Sequence, residues 1–369
     1  MKKFLLLLFI AACSYPAAAQ LLSLPNSDVN YKCSAGRKLG ITDVDISWSA
    51  PGVKGREGKI WGTSVANYGF EVLGFGSHVA SPWRAGADEN TTISFSTDVM
   101  INGKKLNAGK YGFFIALYAD SCTLIFNSNT AGWGSYFYNS SWDVLRVGTK
   151  QQKDMKESKE RLEYNFSKQT NRSVELALEW ERWRIPFTIE VDLIATTLHS
   201  LRTQLSGAMG FDPPSLEAAA NWCLQNKVNY DEGLGWISTA VDPSLGGVNT
   251  FRVVSIKAGF LQALNRKDEA DKIIQGAIET ASVSELHNYG RQLLGEKKVK
   301  EAIVVFEKNY TKNNGAWPTA AGMMRGYSAS GDLKKALDYA KKAVNQAPNA
   351  GVKKIMEDAV KTLESGKSL

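Results

Sequence analysis

Two short stretches gather the side chains best suited to recognition. Trp83, Arg84, Asp88, Glu89 and Asn90 fall in one loop that leads into a β run. A guanidinium there can donate paired hydrogen bonds to a carboxylate or another anion, and the acids beside it can accept from a polar ligand. Residues 51–62, PGVKGREGKIWG, carry Lys54, Arg56, Lys59 and Trp61. An indole among cations suits an anionic ligand, or a sugar that stacks on the ring. Trp133, with Tyr136 and Tyr138 close by, raises the same question in a third loop. Each stretch also has a plainer reading. Asx-rich loops hydrogen-bond their own backbone, glycine loops are ordinary solvated surface, and alternating aromatics pack cores and rims.

Catalysis demands more than suggestive side chains. A nucleophile needs a base within reach and a group to orient that base. The chain has no G-x-S-x-G, no phosphate-binding glycine loop, no zinc spacing and no cofactor fingerprint. Asp88 and Glu89 are adjacent in a strand-entry loop, so their side chains are expected to point apart. His78, His199 and His287 are scattered, which gives no local support for a metal site. An unrecognised hydrolase using scattered carboxylates is the third-ranked reading.

The elements that position these loops follow from the pattern. The 369 residues are 44% hydrophobic and 22% charged, enough for two packed domains. The net charge of +7 includes Lys2 and Lys3 and contains no block of five like charges, so nucleic acid is not the expected partner. Met1-Lys2-Lys3, the apolar run 4–12 and Ala17-Ala18-Ala19 before Gln20 have the layout of a signal peptide over residues 1–19. Ile10-Ala11-Ala12-Cys13 offers a competing lipobox, with Cys13 as lipid anchor. No other segment reaches transmembrane length. The expected location is therefore periplasmic or extracellular. That setting permits a disulfide, and Cys33 with Cys122 is the candidate pair in the β-rich half. Cys223 sits in helical surroundings and reads as a small buried hydrophobe.

Residues 42–49 alternate cleanly, with Val44, Ile46 and Trp48 on one side and Asp43, Asp45 and Ser47 on the other. Residues 29–33 read as an edge strand. Residues 91–100 and 110–116 read as the arms of a hairpin with a turn signal at Asn102-Gly103. Further strands are expected at 122–127, 143–147, 161–166, 173–180 and 183–191, and a charged, helix-tolerant stretch at 150–160. Along 174–180, Val174, Leu176, Leu178 and Trp180 should face inward and Glu175, Ala177 and Glu179 outward. Strands at this spacing without intervening helices predict an antiparallel sandwich or open barrel.

Near residue 193 the period changes to that of helices. Asp231-Glu232-Gly233-Leu234, Asp268-Glu269-Ala270-Asp271, Lys300-Glu301-Ala302-Ile303 and Lys334-Lys335-Ala336-Leu337 recur at intervals of 37, 32 and 34 residues. Ile237, Ile274, Phe306 and Ala340 follow four residues after the central small residue. Ala240, Ala277 and Ala343 follow three later, and the third unit departs with Asn309. This resembles the tetratricopeptide repeat, and the last unit carries Tyr327, Gly331, Ala336, Ala343 and Pro348 at the matching places. The small central residue lets two helices cross closely.

DVDISWSAPGVKGREGKIWG at 43–62, PWRAGADENTTISF at 82–95, NGKKLNAGKYGFF at 102–114, WGSYFY at 133–138 and DVLRV at 143–147 together resemble the DUF2911 family. The resemblance spans about residues 25–192 and implies an exported β domain, of Bacteroidetes-type bacteria, with no assigned activity. The helical half is similar to the tail that accompanies this domain, at Tyr289-Gly290-Arg291-Gln292-Leu293 and Arg325-Gly326-Tyr327-Ser328. Residues 70–82 are extra relative to the family pattern. The expected architecture is a signal peptide (1–19), a DUF2911-like antiparallel β-sandwich (20–192) and a tetratricopeptide-like helical array (193–369). The leading function is an interaction or scaffold protein of the cell envelope, binding a protein or peptide through the array. The alternative is a small-ligand module, with glycans as one ligand class, on the Lys54/Arg56/Lys59/Trp61 and Trp83–Asn90 loops.

Overall fold

A computed structural model describes residues 30–369; the expected signal segment with Cys13 lies outside the described residues. The chain divides into two compact units, the second beginning at His199. The first holds two antiparallel sheets. One is built from β1 (Tyr31–Leu39), β2 (Thr42–Ala50), β5 (Thr91–Phe95), β8 (Gly109–Leu117), β9 (Cys122–Asn127) and β10 (Asp143–Thr149), adjacent in that order. The other runs β11 (Lys159–Ser167), β12 (Ser173–Glu181), β13 (Trp183–Glu190), β6 (Val99–Ile101) and β7 (Lys104–Leu106). A small ribbon pairs β3 (Glu71–Val72) with β4 (Ala80–Ser81). Val44, Ile46, Phe113 and Phe126 from the first sheet share one core with Leu176, Leu178, Ile185 and Phe187 from the second, as in a sandwich.

β2 alternates as its sequence predicts, because its inner face meets the second sheet. β1 is an edge strand, mostly exposed and bearing Lys32, Arg37 and Lys38, charges that discourage pairing with another edge. The expected 91–100 arm is not one strand. β5 lies in the first sheet and β6 in the second, so the chain turns a corner at Ser96-Thr97-Asp98. Asp43 N donates to Ser96 Oγ at 2.8 Å, and Ala108 N to Asp98 Oδ1 at 2.9 Å, which fixes that corner. Asn102 and Gly103, both at positive φ, do form the two-residue turn their sequence signals, but they join β6 to β7. Residues 150–158 form no helix; they run as loop and bridge to β13 through Gln152 and Arg184.

Ala177, expected on the wet face of β12, is fully buried. Arg184 on β13 reaches both Glu175 Oε1 (2.7 Å) and Glu179 Oε1 (3.0 Å), and a guanidinium spanning those two positions covers the alanine between them.

The second unit stacks helices in pairs. α1 (Leu193–Leu205) spans the division. α2 (Pro213–Asn226) packs on α3 (Tyr230–Ala240), α4 (Phe251–Ala263) on α5 (Lys267–Thr280) and α6 (Val283–Gly295) on α7 (Val299–Lys312). α8 (Trp317–Ser330) packs on α9 (Leu333–Asn345), α10 (Ala350–Glu364) closes on α9, and α6 lies beside α8. Caps mark the boundaries: Asp212 before Pro213, Thr250, a full Ser282/Glu285 capping box, Asp332 and Asn349. Gly233, Ala270, Ala302 and Ala336 are all buried, as a close helix crossing requires. A Cβ on Gly233 would stand 2.5 Å from the Phe260 ring. Asn309, where the third unit departs from alanine, is fully buried and donates from Nδ2 to the Val283 carbonyl at 3.0 Å.

Candidate functional site

In the β unit the 83–90 loop is held closely by its own neighbours. Trp83 is 3% exposed and belongs to the core. The Arg84 guanidinium lies 5.1 Å over the Tyr136 ring and donates to the Asp88 carbonyl at 3.0 Å. It also lies against Gly134, where an added Cβ would come within 2.3 Å of it. Asp88 accepts from Asn30 Nδ2 at 3.1 Å. Glu89 accepts from Lys32 Nζ at 2.6 Å and Ser49 Oγ at 3.4 Å, and the Lys32 bond holds its carboxyl below the usual range. Asn90 is buried and donates to the Asn129 carbonyl at 3.0 Å. The polar groups of this loop therefore tie β1, β2 and the 129–136 segment together.

The 51–62 loop is fastened in the same manner. Arg56 donates to the carbonyls of Val53 (3.0 Å) and Gly52 (2.7 Å), Lys54 N donates to Glu160 Oε1 (3.1 Å), and Gly58 N to Glu181. Lys54 and Lys59 are exposed. Trp61 stacks on Trp183 with centroids 4.4 Å apart and planes 7° apart, and meets Trp83 edge-on at 5.6 Å and Trp180 edge-on at 5.8 Å. The two candidate loops thus do meet, but through packed indoles rather than around an open cleft lined by Arg84 and Lys59. The strand pattern turned Trp180 inward, and it is fully buried, but did not show that Trp180 and Trp183 would both meet Trp61. They sit opposite each other across the tight β12–β13 turn, which the strand pattern located without showing what they would face.

Trp133 has a different setting. It is 52% exposed, and Phe75 (66%) and Phe137 (48%) are exposed as well. Segment 70–82 is fastened beside Tyr136: Gly76 sits at φ +83 against the Tyr136 backbone, and Ser77 N donates to the Tyr136 carbonyl at 2.7 Å. Phe75 then touches Tyr136 and Phe137 at 5.8 and 6.3 Å between centroids.

The expected Cys33–Cys122 bridge is corrected by the topology. Both thiols are free. Cys33 is on β1 and Cys122 on β9, with β2, β5 and β8 between them. Strands about 4.8 Å apart leave those cysteines roughly 19 Å from each other. That is well beyond the span of a disulfide. Cys122 Sγ instead lies 3.3 Å from Gln151 Oε1, and burial pushes its thiol up to about 12.

The helical unit contains a site of another kind. A cavity of about 640 Å³ opens between α6, α8 and α10. Val283, Trp317, Pro318, Val352, Ile355 and Met356 give it apolar walls, and His287, Asn288 and Arg325 contribute the polar part. No Asp or Glu lines it. Arg291 stands one turn along α6 from His287. Burial, then Arg325, then Arg291 push the His287 imidazole below its ordinary value, against a backbone contact at Pro318. Burial and then Arg291 likewise lower Arg325. His287 Nδ1 is buried without a hydrogen-bond partner. The sequence did hold a signal for this pair. Arg291 and Arg325 are 34 residues apart, one repeat length, which places them at equivalent positions of successive units. Among the described residues no cluster of three or more His, Cys, Asp or Glu could hold a metal ion, and no helix is long and apolar enough to cross a membrane.

A sandwich followed by stacked helix pairs defines a two-part β-plus-α protein whose β part is a recognisable module. Residues 31–189 match the family described as protein of unknown function, DUF2911, and this unit is a domain of that family. The comparison with curated proteins gave no match.

Proposed function

We propose that this chain is an exported interaction protein of the cell envelope, in which the helical array receives a protein or peptide and the β domain serves as its scaffold. Export rests on the signal-type layout of residues 1–19. The observation that carries the binding role is the apolar-walled cavity between α6, α8 and α10, with Ile355 59% exposed at its side. A large exposed aliphatic beside a cavity suits a partner that buries it. By contrast, Arg84, Asp88, Glu89 and Arg56 already have partners within the β unit, so the polar loops there lend less to recognition. The reading is tested by capture from envelope extract on the immobilised full-length protein. The expected result is a specific protein recovered by the wild type and lost with Trp317→Ala/Ile355→Asp. Recovery unchanged by that double substitution counts against it.

A second reading, a glycan or small-ligand platform on the β domain, is favoured by one observation: Trp133 exposes its ring, and Phe75 and Phe137, in contact with each other, expose theirs. Aromatic rings presented this way suit sugar faces. Sugar-array binding that Trp133→Ala abolishes would favour it over the first.

A further inference from the structure

The β3–β4 hairpin turns its apolar side chains outward. Val72 and Phe75 are each 66% exposed and Val79 is 48% exposed. The foot of the hairpin is nevertheless well fastened. Phe70 packs against Phe114, Ala116, Ile125 and Tyr138, on the face of the first sheet that alternates with its core face. Ser77 donates to the Tyr136 carbonyl from both N (2.7 Å) and Oγ (3.1 Å), and Phe75 rests edge-on against Phe137. The exposed side chains are therefore held out by a packed base.

The two segments that meet there are free of acidic and strongly basic residues. Residues 72–82 and 128–142 contain no Asp, Glu, Lys or Arg, although 22% of the chain is charged, and His78 is their one basic group. Glu71 marks the foot of the hairpin, paired with Ser81. The 128–142 loop is closed at its base by Ser128 N donating to the Trp142 carbonyl at 2.9 Å. It exposes Trp133, Phe137 and Trp142 by about half, among serines and asparagines. Indole rings beside hydroxyls and amides are the side chains that settle at the boundary between lipid and water.

The shape narrows the partner. Phe75 stands at 83° to Tyr136 and 80° to Phe137, so the hairpin itself presents no flat platform for a sugar, and its valines offer no donor. A projecting apolar hairpin needs a partner that closes around it, and a fluid bilayer does so without a matching groove. The entry of the chain lies on the same side. Asn30, where the described residues begin, donates to Asp88 at 3.1 Å, and Arg84 donates to the Asp88 carbonyl at 3.0 Å. Arg84 in turn lies over Tyr136, which meets Phe75 at 5.8 Å. Residues 1–29, with the apolar run 4–12 and Cys13, thus join the domain a short relay of contacts from the hairpin.

We propose that the β3–β4 hairpin and the 128–142 loop form a membrane-docking surface, in which Val72, Phe75, Val79 and Phe137 enter the interface of a zwitterionic bilayer and Trp133 and Trp142 lie at headgroup level. Insertion is shallow, about 5–10 Å, as for other elements that lie in the interface without spanning it. Attraction comes from apolar burial and owes little to lipid charge. This surface is separate from the cavity of the helical array and does not depend on the peptide-binding reading.

The test uses protein lacking residues 1–19, whose apolar run would bind lipid by itself, and sedimentation with sucrose-loaded phosphatidylcholine vesicles. The expected result is binding that rises with lipid and is little changed by added salt. Phe75→Ser/Phe137→Ser should weaken partitioning about tenfold or more, and Val72→Ser severalfold, since each removes apolar surface that the bilayer would bury. Both variants should melt close to wild type, because the replaced side chains already face water. If the double variant melts markedly lower, Val72→Ser decides the outcome. Failure of the wild type to sediment, or equal sedimentation of wild type and variants, overturns the proposal. So does binding that requires phosphatidylglycerol and disappears in salt, which would assign it to the lysines elsewhere on the surface. Self-association or sugar-array binding that these substitutions abolish, without vesicle binding, gives the surface to a second copy or a glycan and overturns the proposal as well.

Discussion

Trp61 lies flat on Trp183, 4.4 Å between centroids and 7° between planes, and through that stack a glycine-rich loop is joined to the far end of the second sheet. Trp83 and Trp180 complete the group from the strand-entry loop and from β12, themselves stacked at 6.2 Å and 11°. Glu181, in the left-handed region with its side chain buried, adds the bond to Gly58 N. The loop that looked most like a ligand platform is one side of an aromatic joint.

Trp61→Ala should therefore act on stability. Loss of a largely packed indole costs about 3 kcal/mol, and Trp61→Phe should recover part of it. Urea unfolding followed by tryptophan emission reads the change. A variant as stable as wild type would contradict this account.

Arg84→Ala should lower stability by about 1–2 kcal/mol through loss of the Tyr136 contact and the bond to the Asp88 carbonyl. Arg84→Lys should not restore it, because an ammonium cannot cover the Tyr136 ring and Gly134 as a planar group does. Thermal melts of the three proteins decide the point.

Glu175 gives a pH signature. Burial alone would raise its carboxyl, but Lys168 and Arg184 prevail and hold it at about 2, against an ordinary value of 4.5. A depressed carboxylate stabilises the fold above its unfolded-state value, and that stability is lost as pH falls through the folded value. The difference in stability between wild type and Glu175→Gln should thus be full above about pH 4.5 and fade as pH approaches 2. At full size, a shift of this extent corresponds to about 3 kcal/mol. Paired melts from pH 2 to 7 measure it. A difference independent of pH would remove the ion-pair explanation.

Gly290→Ala sets two effects against each other. Alanine improves helix propensity by up to about 1 kcal/mol. Its Cβ, however, would stand 2.4 Å from the Phe306 ring, which is fully buried and also crowded by Gly322. Overpacking should win, with a net loss of about 1–3 kcal/mol. Phe306→Leu in the same chain should rescue part of that loss, and denaturant titration of single and double variants forms the cycle.

The cysteines should behave as thiols. With residues 1–19 removed, dithiothreitol should leave the melting temperature unchanged. A maleimide should modify half-buried Cys33 well before Cys122, whose thiol burial pushes up to about 12. A reductant-sensitive melt would revive the bridge that the strand order rules out.

What the sequence determined by itself is local and periodic. Val44, Ile46 and Trp48 announced the inner face of β2 because side chains alternate along any strand. Asn102-Gly103 announced its turn because those residues tolerate positive φ. Gly233, Ala270, Ala302 and Ala336 announced the helix crossings because only small residues fit where axes approach. The resemblance of residues 43–147 to DUF2911 was legible for the same reason, as ordered motifs in one chain. What only the tertiary structure decided is who meets whom across long separations. Residues 91–101 look like a single arm, yet β5 and β6 belong to opposite sheets, since a corner is set by distant partners such as Asp43. Arg84 and Trp61 have the residue types of a binding site, and packing turned them into a clasp and a joint. Arg291 and Arg325 drew notice only as parts of repeat motifs. The absence of any Asp or Glu from the cavity that Arg325 lines is a property of the folded helical unit, where three helices close around a space that no stretch of sequence contains.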